Sequence, residues 1–242
     1  MKLFVVLSLL MFFNDYSFFE PKNQTPVRVL LITGGHNFNR EAFDNLMSSL
    51  SGVSVTEVSH PNALSMFRTE NRALFDVVLL YDMPKTISEN EKNDFIEVLR
   101  EGKGLVVLHH AYCSYQDWSE YQKIIGGRYH ETPWIDLNGV ERPASSYKYN
   151  VPMRVRVADG RHPVTSGISD FDIVDETYAN GSVNSDVHVL LTTNEISSTP
   201  QLAWTTKYEN SNVVTILLGH DNQAWSNPNF VRLLTQAIIW AK

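Results

Sequence analysis

Four of the eight histidines in this chain follow apolar runs, at points where buried strands would end: His36, His109, His110 and His220. Imidazole exchanges protons near neutral pH and also binds divalent metals, so a group of these rings can support acid–base or metal chemistry. Ligands of open α/β sheets bind beyond the carboxyl ends of the strands. We therefore expect a shared crevice in which His36, His109 and His220 are catalytic candidates. His110 is a substrate-binding candidate, because neighbouring residues of a strand point to opposite faces.

Two adjacent carboxylates, Asp175 and Glu176, follow the apolar segment 171–174. A carboxylate beside imidazoles can act as general acid or base, or can orient a histidine. The alternation of Ile173 with Asp175 places Glu176 on the opposite face, so Glu176 is the catalytic candidate and Asp175 a substrate-binding one. The alternative is a solvated turn in which neither acid has a chemical role.

Further candidates for substrate binding lie in loops or after strands: Arg128, His130, Tyr178, Asp221 and Trp225. Tyr178 and Trp225, together with Trp134, could stack on a sugar ring, although each could equally be a core aromatic. His130 lies in a glycine-rich loop, where a solvated histidine is the alternative.

The same histidines and carboxylate could also hold a metal ion, because three imidazoles and one carboxylate form a zinc ligand set. The candidates come from different strands, and no His-x-x-x-His spacing supports such a site. The sequence therefore leaves the cofactor unknown, with a divalent metal such as zinc as one option.

The elements that would position these residues alternate between strand and helix in the first half of the chain. Apolar runs predict strands at 27–33, 53–58, 76–81 and 105–108, and helical spacing predicts a helix at 40–50. Ser88 and Glu91 form a capping box that begins another helix, and 61–74 is predicted as a short helix. This order predicts a mostly parallel α/β sheet with helices on both faces.

The second half of the chain has a different pattern. Residues 149–157 alternate in polarity, which is typical of an antiparallel strand with one exposed face. Later strands are predicted at 187–192, 202–207 and 213–218, and a last helix begins at Asn227–Pro228.

Composition narrows the class of protein. The chain has 242 residues, 43% of them hydrophobic and 19% charged, which is typical of a globular protein. Its net charge of −7, without a Lys/Arg cluster, argues against nucleic-acid binding. The single cysteine, Cys113, excludes an intrachain disulfide.

The N-terminus is predicted to lie outside the folded domain. Leu3–Phe13 is an apolar run too short to span a bilayer, and after Met1–Lys2 it suits the core of a signal peptide, although no small-residue cleavage pattern follows. An uncleaved anchor or a buried helix is the alternative. We expect a signal peptide or anchor at 1–20, a linker at 21–26 and one domain at 27–242. A signal peptide implies a periplasmic or extracellular protein, and its absence a cytoplasmic one.

Several motifs occur in the order found in the trehalose-utilisation (ThuA-like) family: Gly102–Ala111, Gly126–Tyr129, His162–Val164, Asp175–Tyr178, Leu218–Asp221 and the closing Phe230–Ala241. The resemblance covers about residues 27 to 242. It implies a three-layer, flavodoxin-like fold related to the class I glutamine amidotransferases, and a link to sugar metabolism.

In those amidotransferases, a nucleophilic cysteine occupies a sharp turn after the central strand and a later histidine activates it. The matching turn here contains His109 and His110, while His220 resembles the activating histidine. Cys113 lies beyond the turn, so acyl-enzyme chemistry lacks an obvious nucleophile. The resemblance therefore does not imply a glutamine amidotransferase.

Two hypotheses follow. The first is an enzyme, such as a hydrolase, lyase or isomerase, that uses His/Glu acid–base chemistry on a sugar or keto-sugar, with or without a metal. The second is a carbohydrate-binding or sensing protein on a degenerate amidotransferase scaffold. Both make a small-molecule carbohydrate the partner, and a homo-oligomer is an open option.

Overall fold

The computed structural model describes residues 25–242, so the predictions for 1–20 and for the linker up to residue 24 lie outside the described residues. Its strands are β1 (Val27–Gly34), β2 (Val53–Ser59), β3 (Val77–Asp82), β4 (Gly104–Leu108), β5 (Gly127–Arg128), β6 (Trp134–Ile135), β7 (Glu141–Arg142), β8 (Ser146–Val157), β9 (Phe171–Ala179), β10 (Ser182–Val183), β11 (His188–Thr192), β12 (Gln201–Tyr208) and β13 (Ser211–Ile216). Its α-helices are α1 (Arg40–Ser49), α2 (Glu89–Arg100), α3 (Ser119–Ile125), α4 (Asn222–Trp225) and α5 (Pro228–Ala241). Short 3-10 helices lie at Ala63–Phe67, Thr69–Leu74, His109–Cys113 and Pro163–Thr165.

One sheet of nine strands forms the centre of the described structure, in the order β2-β1-β3-β4-β13-β12-β11-β8-β9. The first five strands are parallel to one another, in the spatial order of a flavodoxin-like sheet. The other four are joined by antiparallel pairings. We refer to these two groups as the parallel half and the antiparallel half. The predicted α/β fold is confirmed.

Helices cover both faces of the sheet, as is expected for parallel strands whose side chains are apolar on both faces. One core cluster joins Leu31 and Val106 of the sheet to Phe43 of α1 and Leu233 of α5. The other joins alternate residues of the same strands, among them Val107, to α2 and α3. This arrangement gives the predicted three layers.

Two α-helices begin with the capping residues that the sequence predicts. The Ser88 hydroxyl accepts a hydrogen bond from the Glu91 backbone N–H, and the Glu91 carboxylate accepts one from the Ser88 N–H. Asn227 caps α5 through its side chain, with Pro228 in the first turn. The 61–74 segment forms two short 3-10 helices instead of one short helix.

Two local predictions at the strand ends are wrong. Asp175 and Glu176 do not form the solvated turn considered as the alternative, because β9 continues past them to Ala179 by pairing with β8, and both acids are buried. The chain after Leu108 turns into a 3-10 helix, so His109 and His110 do not alternate as strand residues.

Within residues 25–242, no helix combines the length and the apolar character needed to cross a lipid bilayer.

Candidate functional site

His109 occupies a strained turn directly after the central strand β4. Its φ is 52°, in the left-handed region that non-glycine residues rarely adopt. Such strain persists where surrounding structure over-determines it, and it is common at functional sites. The turn directs the His109 ring toward the segment that follows β13, where His220 lies.

Side chains from three elements meet there. The His109 Nε2 lies 3.1 Å from the His220 Nδ1, and the Tyr178 hydroxyl lies 2.9 Å from the same Nε2. Glu176 places one carboxylate oxygen 3.2 Å from the His220 Nδ1 and the other 3.8 Å from the His109 Nε2. We refer to these four residues as the histidine–glutamate cluster.

The tautomer of His109 follows from its backbone partner. Its Nδ1 lies 2.8 Å from the Leu217 carbonyl oxygen, which can only accept a hydrogen bond. Nδ1 therefore bears the proton, and in the neutral ring Nε2 presents a lone pair to the cluster. That lone pair can accept a proton or bind a cation.

The side chain of Asp175 stabilises the backbone segments that carry His220 and Glu176. Its buried carboxylate accepts hydrogen bonds from the backbone N–H groups of Gly219 at 2.7 Å, His220 at 2.9 Å and Glu176 at 2.8 Å. It therefore fixes the turn after β13 against β9. The hydrogen bonds of Asp175 give it a positioning role, and its predicted role in substrate binding stays a prediction.

The turn that presents His220 requires glycine. Gly219 has a φ of 113°, and a Cβ at this position would lie 2.8 Å from the Phe230 ring. The Trp225 indole N–H donates to the Gly219 carbonyl at 2.8 Å. This packing leaves His220 at the surface of the site.

A second pair of imidazoles lies beside the cluster. The His36 and His110 rings stack with their centroids 4.5 Å apart, and the His36 ring lies 5.8 Å from that of His220. Within residues 25–242, both ring nitrogens of His110 and the Nδ1 of His36 are buried without a hydrogen bond of normal geometry. Buried polar groups without partners are rare, so these nitrogens point to a ligand.

The prediction that only one of His109 and His110 faces the site is therefore corrected. Their ring centroids lie 5.6 Å apart, and both rings border the same group of histidines. The 3-10 turn after β4 removes the alternation on which that prediction depended.

Of these groups, His36, His110, Glu176 and Tyr178 line a cavity of about 290 Å³, whereas His109 and His220 do not. Its lining residues are His36, Met83, Lys85, His110, Cys113, Tyr129, Glu131, Tyr147, Tyr149, Glu176 and Tyr178. Lys85 and Glu131 form an ion pair at its exposed edge. The volume lies at the small end of the range for small-molecule pockets.

Burial determines the charge of these groups. It lowers the pKa of His110 to about 3 and that of His109 well below its usual value, so both rings are neutral at pH 7. It raises the pKa of Glu176 to about 7, with the Tyr178 hydrogen bond opposing and the Asp175 charge adding to the rise. Burial also raises the pKa of Asp175 to about 7 against the pull of its backbone N–H donors.

Five of the predicted substrate contacts lie outside the cavity lining: Arg128, His130, Asp175, Asp221 and Trp225. The Arg128 guanidinium donates to the Gln116 carbonyl at 2.6 Å. Asp221 caps α4, and Trp225 is a buried core aromatic that contacts Phe43.

His130 belongs to a different groove. Its ring stacks on Trp134 with centroids 4.1 Å apart, and its Nε2 contacts the Ser182 hydroxyl at 2.8 Å. These aromatics line a separate groove of about 700 Å³ that contains none of the clustered histidines.

Sequence reasoning did not select Tyr147 and Tyr149 as site residues. Both are about half-exposed, with side chains 57% and 49% accessible, and Tyr149 lies 5.0 Å from His220 between ring centroids. The available signal was the spacing of two tyrosines at i and i+2, which places them on one face of a strand.

A metal ion is compatible with one set of side chains in the described part of the chain. Ligand atoms of His109, Glu176 and His220 all lie within 4.8 Å of one another. Two imidazoles and a carboxylate are a ligand set that zinc accepts.

The comparisons with known proteins agree with the sequence resemblance. The family model described as trehalose utilisation, ThuA, matches residues 28–241. No curated protein sequence matches the chain.

Solved structures share the fold at low sequence identity. A ThuA-like protein from Parabacteroides merdae is 22% identical with a TM-score of 0.73, covering 89% of this chain and 90% of that one. A ThuA-like protein from Bacteroides uniformis is 18% identical with a TM-score of 0.68, covering 90% and 92%. A β-galactosidase from Bacillus circulans is 9% identical with a TM-score of 0.55, covering 88% of this chain but 31% of that enzyme.

Proposed function

The chain belongs to the trehalose-utilisation (ThuA) family, and from this premise we propose that it is an enzyme acting on a sugar or keto-sugar. The histidine–glutamate cluster would handle protons at the substrate, alone or with a bound metal ion. The reaction class would be proton transfer next to a carbonyl, or hydrolysis or hydration.

The unpartnered imidazole of His110 is the observation that supports this proposal most directly. The ring is 2% exposed and borders the cavity, and neither of its nitrogens makes a hydrogen bond of normal geometry to the described residues. A purely structural site would satisfy these atoms, because an unpaired buried polar group costs about 1–3 kcal/mol. A neutral imidazole offers one N–H donor and one acceptor, which suits sugar hydroxyl and carbonyl oxygens.

The rim of the cavity favours a carbohydrate over an apolar ligand. The rings of Tyr147 and Tyr149 lie 5.2 Å apart at its edge, where a sugar face could stack on them. Inside, polar groups from His36, His110 and Glu176 are available to hydroxyl groups. A volume of about 290 Å³ suits one sugar unit, with the remainder of a disaccharide at the rim.

Acyl transfer through a thiolate receives no support. Cys113 is buried, and burial raises the pKa of its thiol so that it stays protonated. His109 occupies the turn after β4 where an amidotransferase-like nucleophile would stand.

Turnover assays on trehalose and related disaccharides, and on their 3-keto forms, test the proposal. We expect product from at least one of these sugars by NMR or mass spectrometry. Replacing His110 by Ala should lower turnover by at least about 100-fold, as loss of a group that acts on the substrate typically does. His188→Ala is the matched control, because His188 pairs with Asp159 on the surface at 3.0 Å.

The alternative, a carbohydrate-binding or sensing protein, predicts a different pattern. Sugar would bind without turnover, and binding would be unchanged in His109→Ala and Glu176→Ala. That result would contradict catalysis, whereas turnover lost in His110→Ala and retained in His188→Ala would support it.

A further inference from the structure

The histidine–glutamate cluster has the spacing of a metal centre. In a tetrahedral zinc site with bonds of about 2.0–2.2 Å, neighbouring ligand atoms lie about 3.4 Å apart. The corresponding separations are 3.1 Å between the two histidines, and 3.2 and 3.8 Å from Glu176 to His220 and His109. We propose that His109 Nε2, His220 Nδ1 and the Glu176 carboxylate bind one divalent cation of the zinc type.

The orientation of His109 supports a metal ligand. Metal-binding histidines commonly donate their other ring N–H to a backbone carbonyl or carboxylate, which fixes the ring and its tautomer. The Nδ1 of His109 makes this contact with Leu217 at 2.8 Å. The lone pair for a metal ion is therefore on Nε2, which accepts a hydrogen bond from the Tyr178 hydroxyl at 2.9 Å when no ion is bound. The 0% exposure of this side chain means that the ring cannot turn away without repacking.

The position of the second histidine ligand, His220, is also fixed by the protein. Its backbone N–H and that of Gly219 are held by the Asp175 carboxylate, so the residue is fixed before any ion binds. Asp175 thus acts as an outer support of the proposed centre, although it does not contact a ligand atom.

The ligand set selects the class of ion. Mg²⁺ and Ca²⁺ prefer all-oxygen sites, whereas two imidazole nitrogens and one carboxylate suit zinc and neighbouring transition metals. Catalytic zinc sites have three protein ligands and an open position. Glu176 and Tyr178 line the cavity, so an ion held by the three ligands would lie beside the ligand space.

This inference deepens the proposed function and shares its site. A bound ion would polarise a hydroxyl or carbonyl oxygen of the sugar. Proton handling would then be left to the groups that do not bind the ion, which are Tyr178 and the His36–His110 pair.

Metal titration tests the inference without a turnover assay. After treatment with EDTA and desalting, the folded protein should bind one Zn²⁺ per chain by calorimetry, and Zn²⁺ should raise its melting temperature. Co²⁺ should give the absorption bands of a low-symmetry four- or five-coordinate site, and Mg²⁺ should produce neither response.

Two ligand variants and one control locate the ion. Glu176→Gln and His220→Ala should each weaken Zn²⁺ binding by at least about 100-fold, because each removes a direct ligand. Circular dichroism checks that both variants are folded. His188→Ala should bind Zn²⁺ as the unsubstituted protein does, since it removes a surface histidine near His162 and Asp159.

The outcomes separate this inference from the proposed function. Absence of stoichiometric Zn²⁺ binding, or binding lost only in His188→Ala, would overturn the metal site. Stoichiometric binding that depends on Glu176 and His220, without turnover of any sugar, would leave the metal site standing and remove the enzyme proposal.

Discussion

The parallel and antiparallel halves of the sheet supply different kinds of chemical group to one site. The ends of β1, β4 and β13 in the parallel half present imidazoles, while β8 and β9 in the antiparallel half present tyrosines and the acidic pair. Neither half alone contains both a histidine and a carboxylate of the cluster. The site therefore exists only where the two halves meet.

The comparison also separates structural from ligand-directed polar groups. Asp175 comes from the antiparallel half and accepts three hydrogen bonds from backbone N–H groups. His110 comes from the parallel half, and its ring makes no hydrogen bond of normal geometry to the part of the chain that the structure describes. Both side chains are buried to a similar degree, 2% exposed each. The two residues are equally buried but differ in their hydrogen bonds. A buried polar group with hydrogen-bond partners stabilises the fold, whereas one without them is a candidate for binding a ligand.

The largest expected effect comes from breaking the junction between the halves. Asp175→Ala leaves the N–H groups of Gly219, His220 and Glu176 without their acceptor, so we expect the free energy of unfolding to fall by about 3 kcal/mol or more. Denaturant unfolding measures this loss.

The same strand offers a matched control for that experiment. Asp172 of β9 is an exposed acid paired with Arg154 at 2.9 Å, and Asp172→Ala should cost less than about 0.5 kcal/mol. Equal destabilisation by the two variants would contradict the role assigned to Asp175.

The substitution His110→Phe tests the distinction between buried polar groups that have hydrogen-bond partners and those that do not. The apolar ring has no donor or acceptor to leave unpaired, so stability should be unchanged or should rise by about 1 kcal/mol. Sugar binding or turnover should fall by at least about 100-fold. Paired thermal unfolding and ligand titration measure both quantities, and a loss of stability without a loss of binding would make His110 a structural residue.

The tyrosines of the antiparallel half should have a moderate effect on ligand and little on folding. Tyr149→Ala removes a half-exposed ring at the cavity rim, so we expect KM or Kd to rise about 10-fold through lost stacking of about 1 kcal/mol. Tyr149→Phe keeps the ring and should restore most of the affinity. Unchanged affinity in Tyr149→Ala would remove the rim from the binding site.

The smallest effect concerns the opposite, amino-terminal edge of the parallel half. Arg28 donates to Asp76 there and lowers the pKa of Asp76 to about 2, against 3.8 for the free side chain. A carboxyl whose pKa is lowered on folding adds stability above pH 3.8 and loses it as the pH falls toward 2. Asp76→Asn should therefore be slightly less stable at pH 7, and the difference should disappear near pH 2 in parallel denaturation curves. A difference independent of pH would contradict this origin.

Much of the parallel half could be predicted because its signals are local. Apolar runs such as 105–108 are buried on both faces, and the capping pair of Ser88 and Glu91 is readable as a pattern three residues apart. The position of His36, His109 and His220 after strands followed from the same runs. Candidates chosen from loops, such as Arg128 and His130, lie elsewhere because loop composition does not specify which face the loop covers.

The sequence by itself determined the alternation of strands and helices in the parallel half, the family and the set of imidazoles at the strand ends, since these depend on residue periodicity and short motifs. Only the tertiary structure decided that Glu176 faces the histidines while Asp175 holds the backbone, because both acids lie in one strand and their roles depend on what packs on each face. It also decided that His110 joins the site, through the positive φ of His109 that ends the strand alternation. Contacts between residues far apart in the chain have no local signature, and the site is built almost entirely from such contacts.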